Sequence, residues 1–159
     1  DNTSLSLVTL ALSFTSFGFL KLNWAPAKIF MGDSGSLFFG SIFVVIMNGS
    51  INQEIISIWT WLILLSIFYI ETTVTLIVRL FRKENFFSGR HELHAYQRLV
   101  IRTKDHSSPS KAFITIQCVW TIPASLLSFN YPEYSSYIYL FTILPMIFVF
   151  YHFGPRQVR

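Results

Sequence analysis

Five apolar stretches separated by short polar joints set out the plan of this chain, running over residues 5–22, 35–49, 55–80, 112–129 and 137–153. A bilayer core of about 30 Å takes roughly 20 apolar residues in helical form. Four stretches come near that length, and the second reaches it with its interfacial neighbours. None alternates with period two over a strand's length, so a lipid-facing β-barrel is disfavoured. Gly18, Pro123 and Pro145 fall inside the stretches, which membrane helices tolerate better than soluble ones. The pattern predicts an all-α integral membrane protein with about five transmembrane helices. No repeat, Gly/Ser linker or low-complexity tract divides it, so residues 1–159 read as one membrane domain.

Composition agrees with the pattern. The chain is 52% hydrophobic and 13% charged, against about 25% charged in a soluble domain. All twelve Lys and Arg lie in or beside the joints 21–36 and 81–111 or the tail 154–159, and the joints 49–54 and 130–136 carry none. Five spans put the first set on one face, and a cation bias of this kind marks the cytoplasmic side. The joints 23–34 and 81–111 are therefore expected to be cytoplasmic loops on a shared face. The cations track helix ends rather than forming a soluble basic module, which excludes nucleic acid as a partner. Topological bias and anionic headgroups account for most of them. Cys118 is the sole cysteine; it allows no internal disulfide and is expected as a small buried hydrophobe. The tryptophans read as interfacial or packing anchors.

Candidate chemistry sits in the cytoplasmic joints. In the first, Gly32-Asp33-Ser34-Gly35-Ser36 places a carboxylate and two hydroxyls between glycines, beside hydrocarbon. A carboxylate so placed is a functional-site hypothesis, because it is costly unless it holds a cation, pairs, or faces water. Flanking glycines permit positive φ and close approach to a ligand. Asp33 could give a hard oxygen to Mg²⁺, which takes one or two carboxylates plus phosphates and waters. Equally, Asp33 or Ser34 could simply cap a helix that starts near Leu37. Gly-Asp-Ser-Gly also surrounds a serine-protease nucleophile, but that chemistry needs a His base and an orienting Asp on a soluble β scaffold, and nothing here supplies one.

The second joint contains Ser88-Gly89-Arg90-His91-Glu92-Leu93-His94-Ala95-Tyr96-Gln97-Arg98. On a helix, His91 and His94 share a face, and Arg90 adds a planar donor suited to phosphate or a nucleobase carbonyl. Two imidazoles without a third ligand make a weak zinc signal. A solvated amphipathic helix at the membrane interface is the plainer reading. His106 reads as loop and His152 as an interfacial side chain, while Glu71 is the single carboxylate deep in a span. A proton or ion path through Glu71 is a further, minor reading.

Pro26-Ala27-Lys28-Ile29-Phe30-Met31-Gly32-Asp33-Ser34-Gly35-Ser36 resembles the signature of the polyprenyl-phosphate N-acetylhexosamine-1-phosphate transferases, which include the phospho-MurNAc-pentapeptide translocase. Glu71-Thr72-Thr73-Val74-Thr75-Leu76 resembles that superfamily's acidic-x-Thr-x-Thr-Leu stretch. Residues 88–98 resemble its histidine loop, with a His-Ala-Tyr-Gln ending closer to the O-antigen-initiating branch. The resemblance implies a Mg²⁺-dependent phosphotransferase in the bacterial inner membrane, multi-pass, with its active face cytoplasmic. It would move an N-acetylamino-sugar-1-phosphate from a UDP-sugar to undecaprenyl phosphate and release UMP, initiating O-antigen-like polysaccharide synthesis. By the same resemblance Asp33 is the metal ligand and, with His94, catalytic. Arg90, His91, Asn23, Lys28 and Ser34 would bind substrate, and a homodimer is admissible.

The superfamily's Asp-Asp pair and Asn-x-x-Asp-Gly-type motif do not occur here, and the chain is about half the length of a member. It begins at Asp1 without Met or a signal-peptide pattern. The expectation is a C-terminal half, inactive alone, with the remaining carboxylates upstream of Asp1. The alternative is a non-catalytic membrane module, such as a scaffold of a polysaccharide-assembly complex.

Overall fold

The computed structural model describes residues 2–81 and 95–153. Its elements are helices throughout: α1 (Asn2–Asn23), α2 (Gly32–Asn52), α3 (Ile58–Phe81), α4 (Ala95–Thr103), α5 (Ser108–Ile116), a π segment (Gln117–Thr121), α6 (Ile122–Asn130), a 3-10 turn (Pro132–Tyr134) and α7 (Ser135–Phe153). Among the described residues no strand forms, and five helical stretches are long and apolar enough to cross a membrane. The all-α membrane fold expected from the apolar pattern is what the chain adopts. Two compact units divide it, Asp1–Ile58 and Trp59–Arg159.

In the first unit α1 and α2 form an antiparallel hairpin. Gly49 near the end of α2 faces Leu5 near the start of α1, and a Cβ on that glycine would stand 3.3 Å from Leu5 Cδ1. Hydroxyls on α1 turn back onto their own helix: Thr9 Oγ1 donates to Leu5 O at 2.8 Å, Ser13 Oγ to Thr9 O at 2.8 Å and Ser16 Oγ to Leu12 O at 2.6 Å. Such internal bonds let polar side chains sit in hydrocarbon without leaving a donor unpaired. Large apolar side chains, among them Leu7, Phe14, Phe17, Leu37 and Phe38, are exposed, as a lipid-solvated surface requires.

The end of α2 explains why α3 starts at Ile58 rather than at 55. Glu54 adopts φ 55°, its N–H donates to Ile51 O at 2.9 Å, and Ile55 N–H donates to Ser50 O at 2.9 Å. This 5→2 and 6→1 pair is a Schellman stop, which ordinarily carries glycine at the left-handed position. A non-glycine residue there costs about 1–2 kcal/mol, while glycine adds unfolded-state entropy. Glu54→Gly is therefore expected to stabilise the hairpin by a net of about 0.5–1 kcal/mol. A raised Tm in detergent, followed by circular dichroism, checks this.

The second unit packs α3 against the α5–α6 span and α7. Along α3 the buried positions are Thr60, Trp61, Ile63, Ser66, Ile67, Ile70, Glu71, Val74 and Thr75, recurring mainly three and four apart so that one stripe faces inward. Ile67, Ile70 and Val74 meet Met146 and Phe150 of α7, with Phe113, Ile116 and Trp120 against them. Polar contacts tie the same helices together: Thr60 and Ser128 hydroxyls at 2.8 Å, Gln117 Nε2 to Leu64 O at 3.0 Å and Trp120 Nε1 to Thr142 O at 3.1 Å. Ser66, Thr121, Ser128, Ser135 and Thr142 are fully buried, while Phe141, Leu144 and Phe148 are exposed. Small polar residues inside and large apolar ones outside are the arrangement of a membrane bundle, where lipid solvates the exterior and close packing holds the interior.

The span Ser108–Asn130 contains the π segment just before Pro123. There Ile122 N–H reaches back to Gln117 O instead of one residue later, a widening that accommodates a proline lacking its own N–H. Cys118 lies in this segment and is exposed, contrary to its expected burial. The wide turn directs Gln117 and Thr121 toward the other helices and leaves Cys118 on the outer surface.

At the head of this span Asp105 organises the junction with α4. Its carboxylate accepts Ser107 N–H and Ser107 Oγ, both at 2.8 Å, and Lys111 Nζ at 3.3 Å. The Ser107 backbone and hydroxyl bonds, then Lys111, hold its pKa at about 2, below the usual 3.8. Because the folded value is depressed, the contribution of this cap is complete above about pH 4 and is lost as pH falls toward 2. The protection factor of the Ser107 amide, its exchange relative to a free peptide at the same pH, is expected to fall over that window, and Asp105→Asn to remove that fall.

Candidate active site

The Asp33 segment is built as the tight end of the α1–α2 hairpin. Trp24 N–H donates to Leu20 O and Lys28 N–H to Leu22 O, each at 2.8 Å, folding the joint back over the last turn of α1. Asn23 Nδ2 then donates to Ile29 O at 2.8 Å, bracing the joint from inside. Asn23 is half-buried, whereas Lys28, Asp33 and Ser34 are exposed. Four of the residues expected at a site thus stand on one hairpin end.

The structure departs from the expected loop at its far end. α2 starts at Gly32, not near Leu37, so Asp33 and Ser34 occupy its first turn. Met31 takes the N-cap position at φ −67°, ψ −36° and supplies no side-chain cap. Neither Asp33 nor Ser34 is the cap, which removes that alternative. Gly32 makes the early start possible because its φ of +63° belongs to the left-handed region, where a Cβ would be strained. A right-handed residue followed by a left-handed one aims successive N–H groups into a shallow concavity that suits anions. The N–H groups of the first turn have no intrahelical acceptor, and among the described residues no side-chain cap covers them.

Gly35 has a different reason to be glycine. It is helical, and a Cβ built there would run into Cγ of Met31. The Met31 side chain lies across the start of α2, and only a bare position lets it. The alternating Gly-Asp-Ser-Gly pattern pointed to positive φ at both glycines, whereas the structure uses it at Gly32 alone. Met31 was missed by sequence reasoning. Its one signal is its place four residues before Gly35, one helical turn away.

Asp33 combines exposure with freedom. Among the described residues its carboxylate accepts no hydrogen bond and makes no ion pair; its backbone carbonyl accepts Ser36 Oγ at 3.0 Å. A carboxylate in the first helical turn complements the macrodipole and keeps its lone pairs for an external cation. Arg90, His91 and His94 lie outside the described residues. Glu71 is buried on α3, where its backbone carbonyl accepts Thr75 Oγ1 at 2.9 Å. Among the described residues no group of three or more His, Cys, Asp or Glu gathers in a metal-binding arrangement.

Comparison with known proteins places this hairpin in a family. Residues 1–51 match the family model for glycosyl transferase family 4. The chain is 35% identical over 126 residues to a probable undecaprenyl-phosphate N-acetylglucosaminyl 1-phosphate transferase of Bacillus subtilis, covering 78% of this chain and 34% of that protein. It is 47% identical over 53 residues to the phospho-N-acetylmuramoyl-pentapeptide-transferase of Staphylococcus saprophyticus, covering 33% of this chain and 16% of the relative. A Helicobacter hepaticus protein of that second type is 35% identical over 92 residues, covering 55% of this chain and 24% of the relative. The chain thus spans about a third or less of the length of each relative. No solved structure matches it. The signature around Asp33 and these relatives agree: the chain belongs to glycosyl transferase family 4.

Proposed function

We propose that the protein containing this chain transfers an N-acetylamino-sugar-1-phosphate from a UDP-sugar to undecaprenyl phosphate at the cytoplasmic face of the bacterial inner membrane. The observation that carries this reading is the Asp33 carboxylate, unpaired among the described residues, beside the anion-receptive start of α2. An acceptor phosphate oxygen bonds to the sugar-bearing phosphorus while the bond from that phosphorus to the UMP oxygen breaks. UMP leaves with the electron pair, and a new diphosphate joins sugar and lipid.

Such a transfer between two polyanions asks for charge neutralisation and in-line positioning more than for covalent help. Asp33 offers one hard oxygen, and Mg²⁺ is commonly held by one or two carboxylates with phosphates and waters completing its shell. Asp33 therefore fits as one ligand of a Mg²⁺ site whose other ligands come from substrate and from parts of the protein beyond this chain. Bound there, the ion supplies charge stabilisation to the phosphate oxygens. The chain's own groups orient: the first-turn N–H groups and Ser34 receive a phosphate oxygen, Lys28 adds positive charge, and Asn23 keeps the joint in shape. Arg90, His91 and His94 are assigned to the donor diphosphate and uridine. Apolar helix faces suit the polyprenyl chain, and product use in O-antigen-like polysaccharide is the pathway class we favour.

The test is UMP release by the intact gene product with undecaprenyl phosphate, Mg²⁺ and a panel of UDP-N-acetylamino sugars. One donor is expected to exceed the others by at least about tenfold, as contacts that read a sugar hydroxyl or amide allow. No release with any donor would favour the second reading, a non-catalytic membrane module. The single carboxylate at the hairpin end is the feature that keeps that reading in play.

A further inference from the structure

Outside the spans, α4 presents a face that the transferase chemistry does not use. Gln97, Leu99 and Val100 are half-buried, whereas Ile101 is 58% exposed and is followed by exposed Arg102, Thr103 and Lys104. The helix packs against α5 and α7. α5 opens one span and α7 closes another, so α4 sits where those two helices leave hydrocarbon. Its connection to α5 is short and held at both steps. Lys104 takes φ 55° with its N–H on Val100 O at 2.8 Å, and Asp105 then binds Ser107 and Lys111.

Charge on this element is one-sided. Residues 95–111 contain Arg98, Arg102, Lys104 and Lys111 against Asp105 alone, and Asp105 is already engaged by Ser107, Ser108 and Lys111. No acidic side chain of that segment remains for Arg102 or Lys104. Topological bias explains cations beside a span, but it does not explain an exposed isoleucine among them. An apolar side chain flanked by cations on an amphipathic helix is the pattern of a surface that lies in a headgroup layer.

We infer that the outward face of α4 docks on the anionic headgroups of the bilayer that the chain spans, with Ile101 entering the headgroup–acyl boundary and Arg102 and Lys104 meeting lipid phosphates. The inference is independent of the transferase reading. Each cation near an anionic surface contributes about fivefold to affinity, and the contribution weakens as salt shortens the screening length.

The experiment uses the full protein with Cys118→Ala and Ile101→Cys, labelled with an environment-sensitive fluorophore and placed in nanodiscs of phosphatidylglycerol or phosphatidylcholine. Blue-shifted emission, quenched by brominated acyl chains, is expected in phosphatidylglycerol and not in phosphatidylcholine. Raised salt should reverse it, and Arg102→Glu with Lys104→Glu should require a severalfold higher fraction of anionic lipid. Both positions are exposed, and an unchanged Tm shows that the fold survives. Water-like emission in both lipids overturns the inference, as does equal blue shift in both, which would mean that protein or uncharged lipid covers Ile101. A shift produced in phosphatidylcholine by added UDP also overturns it, because the basic residues would then serve a nucleotide.

Discussion

Asp33→Asn in the full protein is expected to lower UMP release by roughly 10³-fold, with insertion into the membrane and Tm unchanged. The magnitude follows from what one preorganised electrostatic group contributes when charge is redistributed in a water-poor site. The sparing of the fold follows from the structure. Among the described residues the carboxylate accepts no hydrogen bond or ion pair, so an isosteric amide leaves no donor or cation orphaned. The amide keeps the shape and loses the charge, and the loss should appear in kcat more than in KM for the sugar nucleotide. A second signature separates a metal ligand from a merely polar residue. The concentration of Mg²⁺ needed for half-maximal residual rate should rise in Asp33→Asn, whereas Ser34→Ala should leave it near the wild-type value. Wild-type turnover in Asp33→Asn would remove this carboxylate from the chemistry.

Much of this was legible in the sequence because membrane helices obey few rules. Length and apolarity alone located the five spans, since hydrocarbon leaves the backbone no other way to satisfy itself. The signature around Asp33 was legible for a similar reason: a charge beside hydrocarbon has few explanations. What stayed hidden was set by three-dimensional closeness. Nothing in the local pattern said that Met31 lies over Gly35, or that a left-handed Gly32 starts α2 before Asp33 instead of after it. Cys118 looked buried because it sits in an apolar run. In a membrane, apolar runs face outward as readily as inward, and the π turn before Pro123 decides which residues do so. The buried stripe of α3 was equally unreadable, because its Ser and Thr side chains count as polar in any pattern while serving as interior packing.

The Met31–Gly35 contact yields the sharpest test of whether the start of α2 has to keep its shape. Any side chain at Gly35 must displace Cγ of Met31, the mid-chain carbon rather than the flexible tip. Met31 joins the braced segment to Gly32, so pushing it moves the first turn that carries Asp33. Misplacing a reacting group by about 1 Å costs on the order of 10²-fold in rate, and Gly35→Ala is expected to lose activity on that scale. As a helical substitution it should leave Tm unchanged or slightly raised, since alanine is the better helix former. The same geometry predicts a rescue. With Met31→Ala, the Gly35 Cβ would face only the Met31 Cβ at 3.5 Å, an ordinary contact. The double variant should therefore recover most of the rate lost by Gly35→Ala alone, while Met31→Ala by itself changes little. Rescue of this kind cannot arise if Gly35 is required for backbone freedom, because its conformation is helical and alanine adopts it freely. If both Gly35→Ala and the double variant stay inactive, a ligand rather than Met31 occupies the space above Gly35. If Gly35→Ala retains full turnover, the start of α2 tolerates a displaced Met31, and the reacting geometry is fixed elsewhere.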